Sequence, residues 1–211
     1  MSPNSSDSLL PELVATPSRL DACIQALRAS PSLAFDLEFD SNLRGYGVTL
    51  GLIQIALPDN RCYLIDPLAD LDLAPLWAVM EDASIQKLVH SPGEDLRLLH
   101  SLKCYPANLY DTEIAARLLD YERTSLTVML ETKLGVTLGG GQQRSNWLQR
   151  PLTHEQIVYA AADALHLHAL QKVLDEEAAR RGPPLRTGRS PGCGGRKSRG
   201  RRTRGSFARD D

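Results

Sequence analysis

The stretch that most constrains this chain is SLAFDLEFD, residues 32–40. It reads as a buried strand, because Ala34, Phe35, Leu37 and Phe39 surround its acids with apolar side chains. Asp36 and Glu38 are two residues apart, so on a strand both leave on the same face. A buried strand that sends two carboxylates to one face is costly unless something neutralises them. A divalent cation does this, and Mg²⁺ or Mn²⁺ prefers oxygen ligands. The alternative is a strand end where both acids meet water, and the D-x-E spacing alone does not decide between the two.

The neighbouring segments limit the architecture. Thr16 and Ser18 precede a helical pattern through residue 30. After the first strand comes a polar, Gly-containing loop. Strands are expected at 49–57 and 61–67, separated by a Pro58-Asp59-Asn60 turn, giving an antiparallel meander. Helix 73–82, strand 85–90, helix 94–102, a short strand 108–111 and helix 112–120 follow. A helix at 125–135 ends on Gly135. Thr153 to Gln156 matches a capping box and opens one long helix to about residue 177. Three strands followed by alternating strands and helices imply an α/β fold, a mixed five-stranded sheet with helices on both faces.

Further acids lie along this frame. Asp95 falls in the first turn of a helix, where the dipole favours a carboxylate, though Glu94 beside it fits the same part. Asp111 reads as a helix cap. Tyr159 and Asp163 are i and i+4 on the last helix and share a face. Between them stand Ala160, Ala161 and Ala162, a small surface that allows close approach of another element. A helix merely packed by alanines, with its Asp exposed, is the competing interpretation. His166 and His168 point to different faces and do not form a metal pair.

Composition sets outer limits. With 211 residues, 42% hydrophobic and 24% charged, the chain suits one globular domain. No apolar run approaches the roughly 20 residues of a membrane span. The start lacks the basic-then-apolar pattern of a secretory signal. Cys23, Cys62, Cys104 and Cys193 form no C-x-x-C pair, which fits reduced thiols in a cytoplasmic compartment. Net charge is −2, yet residues 180–211 hold 11 of the 24 Lys/Arg and 2 of the 26 Asp/Glu. The organisation expected is a polar start (1–8), a folded domain (9–178) and a Gly/Arg-rich disordered tail (179–211). That tail offers sequence-independent attraction for phosphates.

The joint order of these pieces resembles the ribonuclease D branch of the DnaQ-like 3′→5′ exonucleases, named for four acids and a tyrosine. The pieces are FDLEFD (35–40), LGLIQIA (50–56), LIDPL (64–68), KLVHSPGEDLRLL (87–99), YDTEIAARLL (110–119) and SNWLQRPLTHEQIVYAAADALHL (145–167). The resemblance implies a ribonuclease H-like fold and a catalytic set of Asp36, Glu38, Asp95, Tyr159 and Asp163. It also implies two divalent cations, Mg²⁺ or Mn²⁺. Asp36 would bridge them, Glu38 and Asp163 would complete the water-binding site, and Asp95 would hold the second ion. Tyr159 would orient the nucleophilic water, and the products would be nucleoside 5′-monophosphates. Members often have Thr where this chain has Leu37, whose side chain faces away. They commonly have Lys and Asp at Gly140 and Asn146, so the 139–141 glycine run lacks a positive charge.

The implied substrate is a single-stranded 3′ end, RNA favoured over DNA. A DNA exonuclease and a non-catalytic nucleic-acid-binding scaffold of the same fold remain as alternatives. In the loop after the first motif, Arg44 is a candidate for a phosphate and Tyr46 for stacking on a terminal base. A plain solvated loop explains both equally well. His90 is a candidate support for the site. Gln143 and Trp147 are candidates for the substrate channel, although for Trp147 a core anchor holding the last helix is the favoured reading.

Overall fold

The computed structural model describes residues 11–41 and 47–182, so Arg44, Tyr46 and the tail fall outside the described residues. Strands β1 (Glu12–Val14), β2 (Ser32–Ser41), β3 (Val48–Ala56), β4 (Cys62–Ile65), β5 (Gln86–Val89) and β6 (Leu109–Asp111) form one sheet in the order β1-β4-β3-β2-β5-β6. β2, β3 and β4 are the antiparallel meander. β5 runs parallel to β2, and β6 parallel to β5. The sheet is mixed as the sequence implies, with six strands instead of five. The sixth, β1, pairs parallel with β4, and three residues are too few to show a period.

Alternation along the central strands divides the core. Leu33, Phe35 and Leu37 of β2 pack with Ile53 and Ile55 of β3 against α1 (Pro17–Arg28), α2 (Ala74–Glu81) and α3 (Gly93–Ser101). Each fully buried Leu, Ile or Phe contributes about 1.5–3 kcal/mol. The other face carries Ala34 and Ala56, covered by α6 (His154–Leu165) and the start of α7 (Leu167–Arg181). Two short helices, α4 (Thr112–Leu118) and α5 (Leu126–Leu134), pack against α7. Gly135 closes α5 at φ 67.

Two local features position α6 over the sheet. Its start is a complete capping box, in which the Thr153 side chain accepts from Gln156 N–H and the Gln156 side chain accepts from Thr153 N–H. Ala160, Ala161 and Ala164 are buried, so the helix sits close to β3 and β2. The single long helix expected from the sequence is broken at His166. Past it, Leu167 packs on Ala34 and Leu88, and His168 meets the Ser32 hydroxyl at 3.2 Å. Those contacts turn α7 toward α4 and α5, which no local pattern announces.

The β2–β3 register slips between Glu38 and Phe39, leaving Gly51 without a partner on β2. The Trp147 backbone packs onto this bulge. Arg150 fastens the same place, donating to the Gly51 carbonyl at 2.6 Å and to both Asp66 oxygens at 2.6 and 2.7 Å. The segment leading into α6 is thereby tied to β3 and to the end of β4, with β3 the direct neighbour of the strand that carries the first two acids.

Candidate active site

Asp36 and Glu38 point from β2 toward α6, while Leu37 between them is buried on the opposite face. α6 lowers Asp163 onto the pair, so that carboxylate oxygens of Asp36, Glu38 and Asp163 all lie within 4.8 Å of one another. Asp95, in the first turn of α3, lines the same cleft. Glu94 turns outward and pairs with Arg97 at 2.8 Å, so of the two acids it is Asp95 that faces the cleft. Tyr159 stands one helical turn before Asp163 and also faces the cleft.

The electrostatics follow from crowding acids into a low-dielectric floor. Burial, then the charges of Asp95, Asp163 and Glu38, raises the Asp36 carboxyl well above the usual carboxylate range. Burial, then Asp163 and Asp95, pushes Glu38 up to about 9. Burial lifts Asp95 and Asp163 each to about 6. Burial and the neighbouring Asp163 raise the Tyr159 phenol, which therefore stays protonated at neutral pH. Among the described residues lining this cleft of about 610 Å³ there is no lysine or arginine. A cluster of oxygen donors with no basic partner fits a hard divalent cation.

The other sequence candidates divide. His90 lines the cleft, its Nδ1 2.8 Å from the Thr112 hydroxyl, which is also 3.0 Å from the Val89 carbonyl oxygen. Its Nε2 is buried without a partner among the described residues, and burial lowers its pKa. Gln143 lines the cleft. Trp147 does not. It is 1% exposed, packed with Leu52, Leu64, Ala160 and Ala161, and is a core anchor instead of a channel residue. Asp111 is the cap of α4, accepting from the N–H groups of Glu113 and Ser91.

Sequence reasoning passed over the far wall. Glu113, Thr124, Ser125 and Thr127 line the cleft, and the Thr124 hydroxyl donates to Glu113 at 2.8 Å. Only the tertiary fold brings this turn opposite β2. Gln54 was also missed. It is fully buried directly across the ladder from Asp36, with neither amide atom partnered among the described residues. An unpartnered amide at such a place has no sequence signature.

This sheet order, with four carboxylates and a tyrosine meeting over its centre, is the arrangement of a 3′-5′ exonuclease, and the chain belongs to that family. The family's model matches residues 11–179. Ribonuclease D of Shewanella sp. (strain ANA-3) is 37% identical over 168 residues, 79% of this chain and 43% of that protein. The crystal structure of Escherichia coli RNase D, described as an exoribonuclease involved in structured RNA processing, aligns with a TM-score of 0.73 at 37% identity. That alignment covers 79% of this chain and 44% of the other. Brucella melitensis NrnC bound to pGG aligns with a TM-score of 0.62 at 28% identity, over 72% of this chain and 76% of that one. The chain thus spans less than half the length of the ribonuclease D relatives.

Proposed function

We propose that this protein is a metal-dependent 3′→5′ exonuclease that shortens single-stranded RNA ends and releases nucleoside 5′-monophosphates. The observation that carries the proposal is the meeting of Asp36, Glu38 and Asp163 within 4.8 Å, in a cleft without lysine or arginine among its described lining. Asp36, Glu38, Asp95 and Asp163 hold the divalent cations, Mg²⁺ or Mn²⁺, with Asp36 central because it faces all three other acids. Bound cations supply an activated water and stabilise the leaving oxygen. Tyr159, kept protonated, orients the water by a hydrogen bond and does not serve as the base. His90 and Gln143 support the bound strand from the cleft walls.

RNA is favoured over DNA because the curated relatives are ribonucleases. We assign residues 9–178 to the exonuclease domain and give the basic tail a role in non-specific phosphate attraction. No described helix is long and apolar enough to cross a membrane, and Cys23, Cys62 and Cys104 are free and buried. The free thiols support a cytoplasmic placement.

The test is degradation of end-labelled RNA and matching DNA at single-nucleotide resolution, with Mg²⁺, Mn²⁺ or chelator. Stepwise loss from the 3′ end, dependent on metal and absent in Asp36→Ala, is the expected result, with RNA cut faster than DNA. Retained binding with no shortening of either substrate would overturn the enzyme reading in favour of a binding scaffold. Faster cleavage of DNA would overturn the RNA assignment.

A further inference from the structure

The cleft presents a charge problem. Asp36, Glu38, Asp95, Glu113 and Asp163 line it, and the described lining offers no lysine or arginine to a polyanion. Cations held by the acids answer this at the scissile phosphate alone. A second phosphate of the same strand needs other donors.

The segment Gly139-Gly140-Gly141 is placed to supply them. All three line the acidic cleft, and Gly139 and Gly140 also line a neighbouring groove of about 400 Å³. Gly141 needs to be glycine, because its φ is +103. Gly139 and Gly140 do not. Neither has a positive φ, and a Cβ on either would meet nothing within 4 Å among the described residues. Packing among the described residues therefore gives no reason for glycine at these two positions. Their backbone N–H groups donate to no described residue. Bare N–H groups on a chain without side chains let an anion come into direct contact with the backbone.

We propose that Gly139 and Gly140 seat a phosphate of the bound RNA strand on their backbone N–H groups, next to the cation-holding acids, and so set substrate affinity. The inference rests on the exonuclease reading above. It assigns the glycine pair the work of a basic side chain without adding one, and it makes the missing Cβ atoms a requirement of the ligand and not of the fold.

The experiment uses the full-length protein and its Gly139→Ala/Gly140→Ala variant. Affinity for a short fluorescent oligoadenylate is read by anisotropy in calcium, which keeps turnover low. Melting temperature and Mn²⁺ affinity are read alongside. The expected result is RNA binding weaker by about tenfold, as for loss of a hydrogen bond to a charged group. Melting temperature should be unchanged or raised, because alanine restricts the unfolded chain more than glycine does. Mn²⁺ affinity should be unchanged. A neutral methylphosphonate at the seated phosphate should weaken binding to the wild type and erase its advantage over the variant. Gly140→Lys in the Gly139→Ala background should recover affinity and steepen the log–log salt slope by about 0.7, as for one added phosphate contact on a single strand. Equal RNA affinity of the alanine variant and the wild type would overturn this inference alone. So would a loss of affinity that tracks a lowered melting temperature or weakened Mn²⁺ binding. A wild type that does not bind RNA would overturn both this inference and the exonuclease reading.

Discussion

Raising the pH of the chelated protein from about 6.5 to about 8 should destabilise it, and the structure fixes the sign and size. Glu38 holds its proton up to about 9 in the fold, against an ordinary 4.5. Within this window the unfolded chain has already released that proton while the folded chain keeps it. The folded state therefore binds more protons, and stability falls by about 1.4 kcal/mol per pH unit for each such group. Over the window that amounts to about 2 kcal/mol, or a drop of about 4–8 °C in Tm for a domain of this size. Asp36, raised in the same direction, can only add to the loss. Asp95 and Asp163, at about 6, have largely titrated below the window. His90, His166 and His168 act with the opposite sign, but only below their ordinary value of 6.5. The buried thiols of Cys23, Cys62 and Cys104 matter only near their ordinary 9.0 and above. Saturating Mn²⁺ requires deprotonated ligands and should reverse the trend. Calorimetric melts in chelator and in Mn²⁺ across the window give the answer. Glu38→Gln should flatten the chelator curve and raise Tm at its alkaline end. A metal-free Tm that holds level or climbs with pH would refute the reasoning, as would a Glu38→Gln protein that melts lower at that end.

Three further outcomes are expected. Tyr159→Phe should keep Mn²⁺ affinity by calorimetry yet lose about 10²–10³-fold in single-turnover cleavage, since only the orientation of water is removed. Gly51→Ala would drive a Cβ to 2.8 Å from the Trp147 carbonyl oxygen and 2.9 Å from its Cβ, where backbone cannot yield cheaply. A cost of about 1–3 kcal/mol should show in the urea midpoint. Thr153→Ala removes one half of the capping box on α6 and should cost about 1 kcal/mol in the same assay.

Much of the molecule is legible in the sequence where a local rule and the tertiary fold agree. The i and i+2 spacing of Asp36 and Glu38 gives a shared face, and Leu37 lies opposite. The i and i+4 spacing of Tyr159 and Asp163 does the same on α6. Thr153 caps with Gln156 as its spacing implies, and Gly135 ends α5. What escapes notice depends on long-range contacts. β1 is a strand only because β4 lies alongside it. The turn at His166 is set by Leu167 and His168 packing on β2 and β5. Lys87 is fully buried, its ammonium donating to the carbonyls of Asp82 and Ile85, an arrangement that no local pattern marks. Trp147 divides its candidate roles by depth alone, and depth belongs to the assembled fold.

The bulge at Gly51 and the docking of α6 have a consequence in time. Asp36 and Glu38 lie near the start of the folded domain, and Asp163 is carried on one of its last two helices. A growing polypeptide can complete the β2–β3–β4 meander while still lacking its third carboxylate. The carboxylate cluster is assembled only when α6 settles on the sheet, where Arg150 ties the preceding segment to Gly51 and Asp66. On the proposed reading, a chain that has not yet docked α6 lacks Asp163 and Tyr159 in the cleft, and the site for a nucleic-acid end is complete only once that helix is in place.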